Sequence, residues 1–237
     1  MFDDKRGEDG KIARFKARFV AMGYTQKYGV DYTDTFAGVV ISKTFRIMLA
    51  ILNEDPTFEM QHWDVKMAFT KAPVEEELYM YQPEQFEKHQ ESKTPYVCRL
   101  KKALYGLKQS ARNWQIFLKA IFDEQGFSNL RTDPCVHLLR KDDAWCMVST
   151  HVDDIFVLYN KPGGALRDKL FGGFQTHVEI DNLGPISWAL KTQIQRDRVN
   201  GIIKISQAVR QRLSRFAQYQ GRCCNSPSND GRKRRAR

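Results

Sequence analysis

The chain has 237 residues, of which 42% are hydrophobic and 12% aromatic, a composition typical of globular proteins and unlike that of a disordered chain. The net charge of +10 favours an anionic partner such as nucleic acid, although charge alone is equally compatible with a merely basic soluble protein. No apolar run reaches the length of a membrane span, the N-terminus lacks the apolar core of a signal peptide, and the five cysteines without CxxC spacing indicate reduced intracellular thiols.

The N-terminal region predicts a loose end over residues 1–10 and a strand over residues 11–22, where Gly23 ends a partial alternation. Lys16 and Arg18 would then point to the same side of that strand. Two interpretations stay open, because a basic strand face can be solvated or can bind phosphates.

The next segment predicts a helix that Ser42 caps, with a core-facing stripe at Phe45, Met48, Leu49 and Leu52. After Pro56, residues 58–64 predict a strand that ends at Asp64, followed by a short turn of helix. Residues 75–95 are acidic and contain prolines, so we expect a loop there.

The clearest predicted helix begins near Ser110, ends at Gly126 and follows a basic, glycine-containing lead. Its predicted buried stripe consists of Trp114, Phe117, Leu118, Ile121 and Phe122. Further on we predict a weak helix over residues 163–175, a hairpin turn at Asn200-Gly201, a last helix capped by Ser206, and disorder over residues 221–237.

Two adjacent carboxylates, Asp153 and Asp154, lie between two apolar, β-prone runs over residues 147–159, where a hairpin would turn. Paired carboxylates at a rigid tip suit Mg²⁺, and Asp64 at the end of another strand is well placed to share that metal. The alternative is that aspartate simply caps a turn, as we expect for the pair Asp142-Asp143.

Eight segments follow one another along the chain: KARFVAMGYTQ (16–26), DYTDTFA (31–37), DVKMAF (64–69), EEELYM (75–80), QPE (82–84), LYGLKQ (104–109), DPC (133–135) and VDD (152–154). In these segments and their order, the sequence resembles the reverse transcriptase domain of the Pol polyprotein of copia-type long-terminal-repeat retrotransposons, over residues 11–220.

This resemblance implies an α+β, right-hand polymerase fold. A palm with an antiparallel or mixed sheet would carry helices on one face, the N-terminal third would form the fingers, and a partial thumb would begin at about residue 180. It also implies an intracellular protein, in a cytoplasmic particle or the nucleus, with no membrane partner.

The resemblance implies an RNA-directed DNA polymerase that adds dNTPs to a primer 3′-hydroxyl by two-metal phosphoryl transfer, with Mg²⁺ as the metal and Mn²⁺ as a possible substitute. It assigns Asp64, Asp153 and the Val65 carbonyl to the metal ions, with Asp154 as a supporting carboxylate. The nucleotide would meet Lys16, Arg18, Phe69 and Gln109, and the RNA or DNA template and primer would meet Gly106, Lys108 and His151. Phe69 would exclude a ribose 2′-hydroxyl, although a core phenylalanine fits the same pattern.

Several positions depart from the family pattern, and none removes a metal ligand. They are His151 for an aromatic residue, Ser110-Ala111 for Ala-Pro, residues 37–41 for Ala-Pro-Val-Ala-Arg, and Lys71-Ala72 for a polar residue and glycine. Nothing after residue 220 resembles the ribonuclease H of such elements, and no integrase, which serves their DNA integration, precedes. A truncated, non-catalytic remnant that only binds nucleic acid therefore stands as the alternative function.

Overall fold

A computed structural model describes residues 2–6, 12–92 and 94–207. The chain divides into two compact units, Met1–Ile186 and Ser187–Arg237. All pairings between the named strands are antiparallel. The fold is therefore α+β with antiparallel sheets, as the sequence predicted at this coarse level.

Among its described residues, the first unit contains three α-helices, which are α1 (Ser42–Glu54), α2 (Ser110–Glu124) and α3 (Gly164–His177). Its strands are β1 (Phe2–Arg6), β2 (Ile12–Ala17), β3 (Glu59–Val65), β4 (Pro73–Tyr81), β5 (Val97–Lys102), β6 (Ser128–Asn129), β7 (Val136–Lys141), β8 (Ala144–His151), β9 (Asp154–Tyr159) and β10 (Ile180–Pro185). Within the described ranges, the helices are all too short or too polar to cross a bilayer.

A six-stranded sheet in the order β10-β3-β9-β8-β7-β6 organises the first unit. Its central hairpin, β8–β9, is the one predicted from the two apolar runs around Asp153 and Asp154. Strand β3 lies between β9 and β10, so the end of the predicted Asp64 strand reaches the tip of the hairpin.

The main core lies on one face of this sheet, against α2 and α3. Its largest fully buried side chains include Trp63, Trp114, Phe122 and Phe174, and each such aromatic removes about 150–250 Å² from water. The periodic stripe predicted for α2 is confirmed, since Trp114, Leu118, Ile121 and Phe122 are buried and Phe117 packs beside them.

Helix α1 packs on the opposite face of the sheet, where Phe45 contacts Phe156 with ring centroids 5.0 Å apart. Side chains alternate along β9, so Phe156 points away from the face that carries Ile155 and Val157. Helices therefore lie on both faces of this sheet, whereas the expected palm carried helices on one face. The four predicted core positions of α1 are all buried. Ile41 rather than Ser42 occupies the cap position of this helix, without a side-chain hydrogen bond.

Two smaller sheets complete the first unit, one formed by β1 and β2 and one by β4 and β5. Strand β4 corrects the loop predicted from residue 75 onward. Its Leu78 is buried and its Val74 and Met80 are half-buried, while Glu75 and Glu77 are exposed. The alternation of a half-buried strand was present, but the run of glutamates obscured it.

The second unit contains β11 (Trp188–Ala189), β12 (Thr192–Asp197) and β13 (Ile202–Ser206), which form a three-stranded antiparallel sheet. The predicted turn at Asn200-Gly201 is confirmed between β12 and β13, and Gly201 has a φ of 62°. The helix predicted after Ser206 and the disorder predicted for 221–237 lie outside the described residues. At the other end, where we expected a loose segment, residues 2–6 form β1.

Candidate active site

The tip of the β8–β9 hairpin is a two-residue turn, Val152-Asp153, closed by the pair His151 and Asp154. Val152 has a φ of 58°, a left-handed conformation that is rare for a β-branched residue and costs on the order of 1–3 kcal/mol. The indole Nε1 of Trp114 donates a hydrogen bond to the Val152 carbonyl at 2.8 Å. Helix α2 therefore holds the strained tip, and with it Asp153, in place.

The end of β3 brings Asp64 next to this tip. Asp64 and Asp154 are directly paired across β3 and β9, and the Val65 amide donates to the Asp153 carbonyl at 3.0 Å. The three aspartates predicted as catalytic residues are thus neighbours in the fold, although ninety residues of sequence separate Asp64 from the other two. The Val65 side chain is buried in the core.

The carboxylates on either side of Asp64 are engaged by other groups. His62 Nε2 lies 2.8 Å from Asp154 Oδ1, within hydrogen-bonding distance. On the other side, Asp181 of β10 pairs with Asp64 across the strands, and Lys66 Nζ lies 3.2 Å from Asp181 Oδ2. Lys66 also donates to Glu179 at 2.8 Å, and these two acidic partners raise its pKa.

The donors available around Asp64 fit a hard divalent cation in their chemistry, because they are carboxylate oxygens on adjoining backbone positions. Across the described ranges, no three carboxylate, histidine or cysteine groups lie close enough together to hold a metal ion. The fold supplies the ligand types and their backbone placement.

A second cluster adjoins the carboxylates and contains Phe69, Tyr105 and Arg18. The Phe69 and Tyr105 rings meet edge to face at 5.1 Å, and the Arg18 guanidinium lies 5.7 Å from the centre of the Tyr105 ring. Burial raises the pKa of the Tyr105 hydroxyl, and the charges of Asp153 and Asp64 raise it further, while Arg18 opposes them. Tyr105 is therefore within electrostatic reach of both the metal-binding candidates and the basic side chain.

Lys108 and Gln109, which we predicted to contact template and nucleotide, make hydrogen bonds within the protein. Gln109 is fully buried, its Nε2 donates to the Asp31 carbonyl at 2.8 Å, and its Oε1 accepts from Gln26 at 3.1 Å. Lys108 is exposed, and its Nζ donates to the Gln26 carbonyl and the Tyr32 hydroxyl, both at 3.2 Å. These bonds join the segment over residues 23–34 to the start of α2.

Gly106, the third residue predicted in this segment, makes a close backbone contact. Its φ is +93°, and a Cβ there would lie 2.2 Å from the Ala21 carbonyl oxygen. The Ala21 amide donates to the Tyr105 carbonyl at 2.8 Å, so the two segments run side by side. Glycine is required at this position because any larger residue would push them apart.

A narrow apolar cleft of about 80 Å³ lies between Phe69, the start of α2 and the hairpin tip. Gly38, Val39, Ala111, Trp114 and Val152 are among the residues that line it. The cleft adjoins the aromatic cluster through Phe69 and the hairpin tip through Val152, and its lining is mostly apolar.

Two candidates remain, His151 and Lys16. His151 is half-buried at the last position of β8, opposite Asp154. Lys16 lies in β2 opposite Asp3, and the structure describes its backbone alone. The sequence analysis missed Tyr105 and His62 as site residues, although Tyr105 stood within the LYGLKQ segment and could have been recognised there.

Comparison with known proteins assigns the chain to a class. A profile described as "Reverse transcriptase (RNA-dependent DNA polymerase)" matches residues 1–221. The chain therefore belongs to the reverse transcriptase family, the family of RNA-dependent DNA polymerases, whose chemistry depends on divalent metal ions.

Individual relatives narrow this class to retrotransposons. The chain is 33% identical over 230 residues to the "Retrovirus-related Pol polyprotein from transposon TNT 1-94" of Nicotiana tabacum, covering 96% of the chain and 17% of that relative. It is 37% identical over 160 residues to the corresponding protein from transposon RE2 of Arabidopsis thaliana, covering 68% of the chain and 11% of the relative. The "Transposon Ty1-MR1 Gag-Pol polyprotein" of Saccharomyces cerevisiae is 31% identical over 192 residues, which cover 78% of the chain and 10% of that relative. The resemblance to copia-type Pol polyproteins is confirmed, and the chain spans less than a fifth of the length of these relatives.

Proposed function

We propose that this chain is the RNA-directed DNA polymerase domain of a retrotransposon, which extends a primer 3′-hydroxyl with dNTPs along an RNA or DNA template. One observation carries the proposal: the β3–β9 register pairs Asp64 with Asp154, and the Val65 amide binds the Asp153 carbonyl. Carboxylates from two distant parts of the sequence, Asp64 and the adjacent pair Asp153 and Asp154, thus lie at one edge of the sheet, beside a cleft that Val152 lines.

In this proposal Asp64, Asp153 and the Val65 carbonyl hold two divalent ions, with Asp154 as the supporting carboxylate. Mg²⁺ is the expected metal and Mn²⁺ a possible substitute, because both are bound by carboxylate oxygens. When bound, such ions lower the pKa of the attacking hydroxyl and stabilise the charge on the departing pyrophosphate. The protein's own contribution is to fix Asp153 and Asp154 on a hairpin that Trp114 anchors, next to Asp64 on β3.

The nucleotide would bind against the aromatic cluster. Arg18, together with Lys16 two residues before it, would meet the triphosphate, because guanidinium and ammonium groups bind phosphate oxygens strongly. The Phe69 ring, supported edge-on by Tyr105, would lie against the sugar and exclude a 2′-hydroxyl. The apolar cleft beside Phe69 would accept a base.

The template and primer strands would run along the loop that contains Gly106 and Lys108 and past His151. Gln109 is buried, and its hydrogen bonds to Gln26 and Asp31 indicate that it would act on the nucleotide through the shape of this loop. The six-stranded sheet would form the palm, the N-terminal third the fingers, and the thumb would start near residue 180. Integrase and ribonuclease H would be the partners of this domain in an intact element.

Primer extension on an RNA template, with dNTPs and Mg²⁺ or Mn²⁺, tests this function. Asp153→Asn should abolish nucleotide addition, because it removes a charged ligand, and should leave duplex affinity within about twofold, because affinity depends on contacts to phosphate. The matched control is Asp142→Asn, which changes an aspartate in the β7–β8 turn and should extend primers as the parent does.

Extension by Asp153→Asn at the parental rate would overturn the assignment of the metal site. A folded parent that binds the duplex but never extends a primer with either metal would overturn the polymerase function itself.

A further inference from the structure

Three aspartates form a row across the edge of the six-stranded sheet. Asp154 on β9, Asp64 on β3 and Asp181 on β10 occupy paired positions in two neighbouring ladders. Directly paired residues of antiparallel strands place their side chains on the same face, with Cβ atoms about 4.5–5.5 Å apart. Like charges at that spacing repel each other, so something must hold the row together.

The two outer members of the row are held by partners, whereas the central one is not. His62 Nε2 binds Asp154 Oδ1 at 2.8 Å, and Lys66 Nζ lies 3.2 Å from Asp181 Oδ2. Among the residues that the structure describes, the Asp64 carboxylate has no hydrogen bond or ion pair. Within this row, Asp64 is the member that the proposed function assigns to metal, and it is the one whose carboxylate is not already engaged by a partner within the described residues.

The orientation of His62 is fixed by packing as well as by its hydrogen bond. Its side chain is 15% exposed, and its ring lies 5.0 Å from the fully buried ring of Phe156. Phe156 in turn packs on Phe45 of α1. A histidine held in this way presents Nε2 to Asp154 from a rigid position, so the hydrogen bond restrains the carboxylate rather than following it.

We propose that His62 is a positioning residue that keeps the Asp154 carboxylate away from the cations bound by Asp64 and Asp153. This inference rests on the proposed function and deepens it, because it gives the two adjacent aspartates of the hairpin different roles. Asp153 would bind metal, and Asp154 would be held in reserve by His62 as a fixed negative charge.

The proposal predicts an unusual sign for the effect of removing His62. A released Asp154 carboxylate could rotate toward Asp64 and add a ligand, so cation binding should tighten while nucleotide addition slows. Loss of a purely structural histidine would weaken binding or leave it unchanged. The direction of the change in metal affinity therefore separates the two roles.

The test is a double-mutant cycle on the full chain, with Mn²⁺ binding followed by electron paramagnetic resonance in the absence of nucleotide. His62→Leu should tighten Mn²⁺ binding about three- to tenfold, because one more carboxylate can reach the ion. Combining it with Asp154→Asn should remove this gain, because an amide is a weaker ligand. His89→Leu, at an exposed loop position, should bind Mn²⁺ as the parent does.

The positioning role would be overturned if His62→Leu bound Mn²⁺ more weakly than the parent or equally well. It would also be overturned if the gain in affinity survived in the double mutant, or if the parent bound no Mn²⁺. His62→Gln, which can still donate to Asp154, should keep the parental affinity. If the leucine variant does not fold, His62→Asn replaces it in the test, because the asparagine side chain is too short to reach the Asp154 carboxylate. A parent that shows the coupling but does not extend primers would refute the polymerase function alone.

Discussion

At the scale of single residues, Phe69 makes the most specific prediction about substrate choice. Its ring is held by Tyr105 next to the carboxylates, where the sugar of a nucleotide would lie. Phe69→Val should leave room for a 2′-hydroxyl and raise the use of ribonucleotides relative to deoxyribonucleotides about tenfold or more. The measurement is the ratio of kcat/KM for an rNTP and the matching dNTP.

The control for this experiment is Phe86→Val, which changes an exposed phenylalanine in the loop after β4. Its nucleotide preference should equal that of the parent. If Phe69→Val also kept the parental preference, Phe69 would be a core residue and the sugar would lie elsewhere.

His137 makes a prediction about acid stability. It is buried on β7 and stacked on Phe122 with ring centroids 3.9 Å apart, and its Nδ1 has no hydrogen-bond partner within the described part of the chain. Burial lowers its pKa to about 4 from 6.5. Between pH 6.5 and pH 4 the unfolded chain binds a proton at His137 that the native protein excludes, so the free energy of unfolding falls as the pH drops through this range. Below pH 4 both states bind the proton, and the contribution of His137 no longer changes with pH.

The expected loss attributable to His137 is up to about 3 kcal/mol over that range. Urea unfolding of the parent and of His137→Leu at pH 7 and at pH 4.5 measures it. The leucine variant should lose distinctly less stability on acidification, whereas equal losses in both proteins would place the acid sensitivity in other groups.

At the scale of structural elements, the contact between residues 20–23 and the loop that precedes α2 depends on Gly106. Gly106→Ala would combine an unfavourable positive φ with a Cβ placed 2.2 Å from the Ala21 oxygen. Gly126→Ala is the matched control, since Gly126 has a φ of +84° but a Cβ added there would meet no atom within 4 Å.

We expect the control to cost about 1–2 kcal/mol for its backbone conformation, and Gly106→Ala to cost a further 1–3 kcal/mol or so for overpacking. The free energy of unfolding in urea gives both values. Equal costs would mean that the two segments separate easily and that their contact does not position Tyr105.

The elements that the sequence predicted best are those with strong periodicity. The buried stripes of α1 and α2, the central hairpin and the Asn200-Gly201 turn were all confirmed, because each depends on local spacing or on one turn conformation. Strand β4 was missed because three consecutive glutamates dominate its composition.

Local patterns suggested that Asp64 and the hairpin pair lie at strand ends, but the specific assignment of the candidate site depended on the order of the matching segments. Local patterns cannot state that β3 pairs with β9, and therefore cannot bring Asp64 to Asp153. The contact between His62 and Asp154 depends on that same register, which explains why an isolated histidine in the sequence carried no signal. Buried hydrogen bonds such as those of Gln109 depend on the packing of the segment over residues 23–34, which no spacing rule describes.

At the scale of the whole molecule, the net charge of +10 predicts how nucleic-acid binding responds to salt. Binding that neutralises about four phosphates releases their counterions, so affinity should fall about a hundredfold between 50 and 200 mM salt. Fluorescence anisotropy of a labelled primer–template duplex would measure this slope. An affinity that does not vary with salt would show that the lysine and arginine side chains do not contact the phosphate backbone.

The strained conformation of Val152 has a consequence for how this protein would respond to selection. Glycine or asparagine at this position would adopt the left-handed conformation with little penalty, so both should be enriched when variants are selected for heat resistance alone. The same substitutions would relax the turn that presents Asp153. Selection for heat resistance would therefore favour glycine or asparagine at position 152, whereas selection for primer extension would favour valine. The residue found there would show which of the two selections had been stronger.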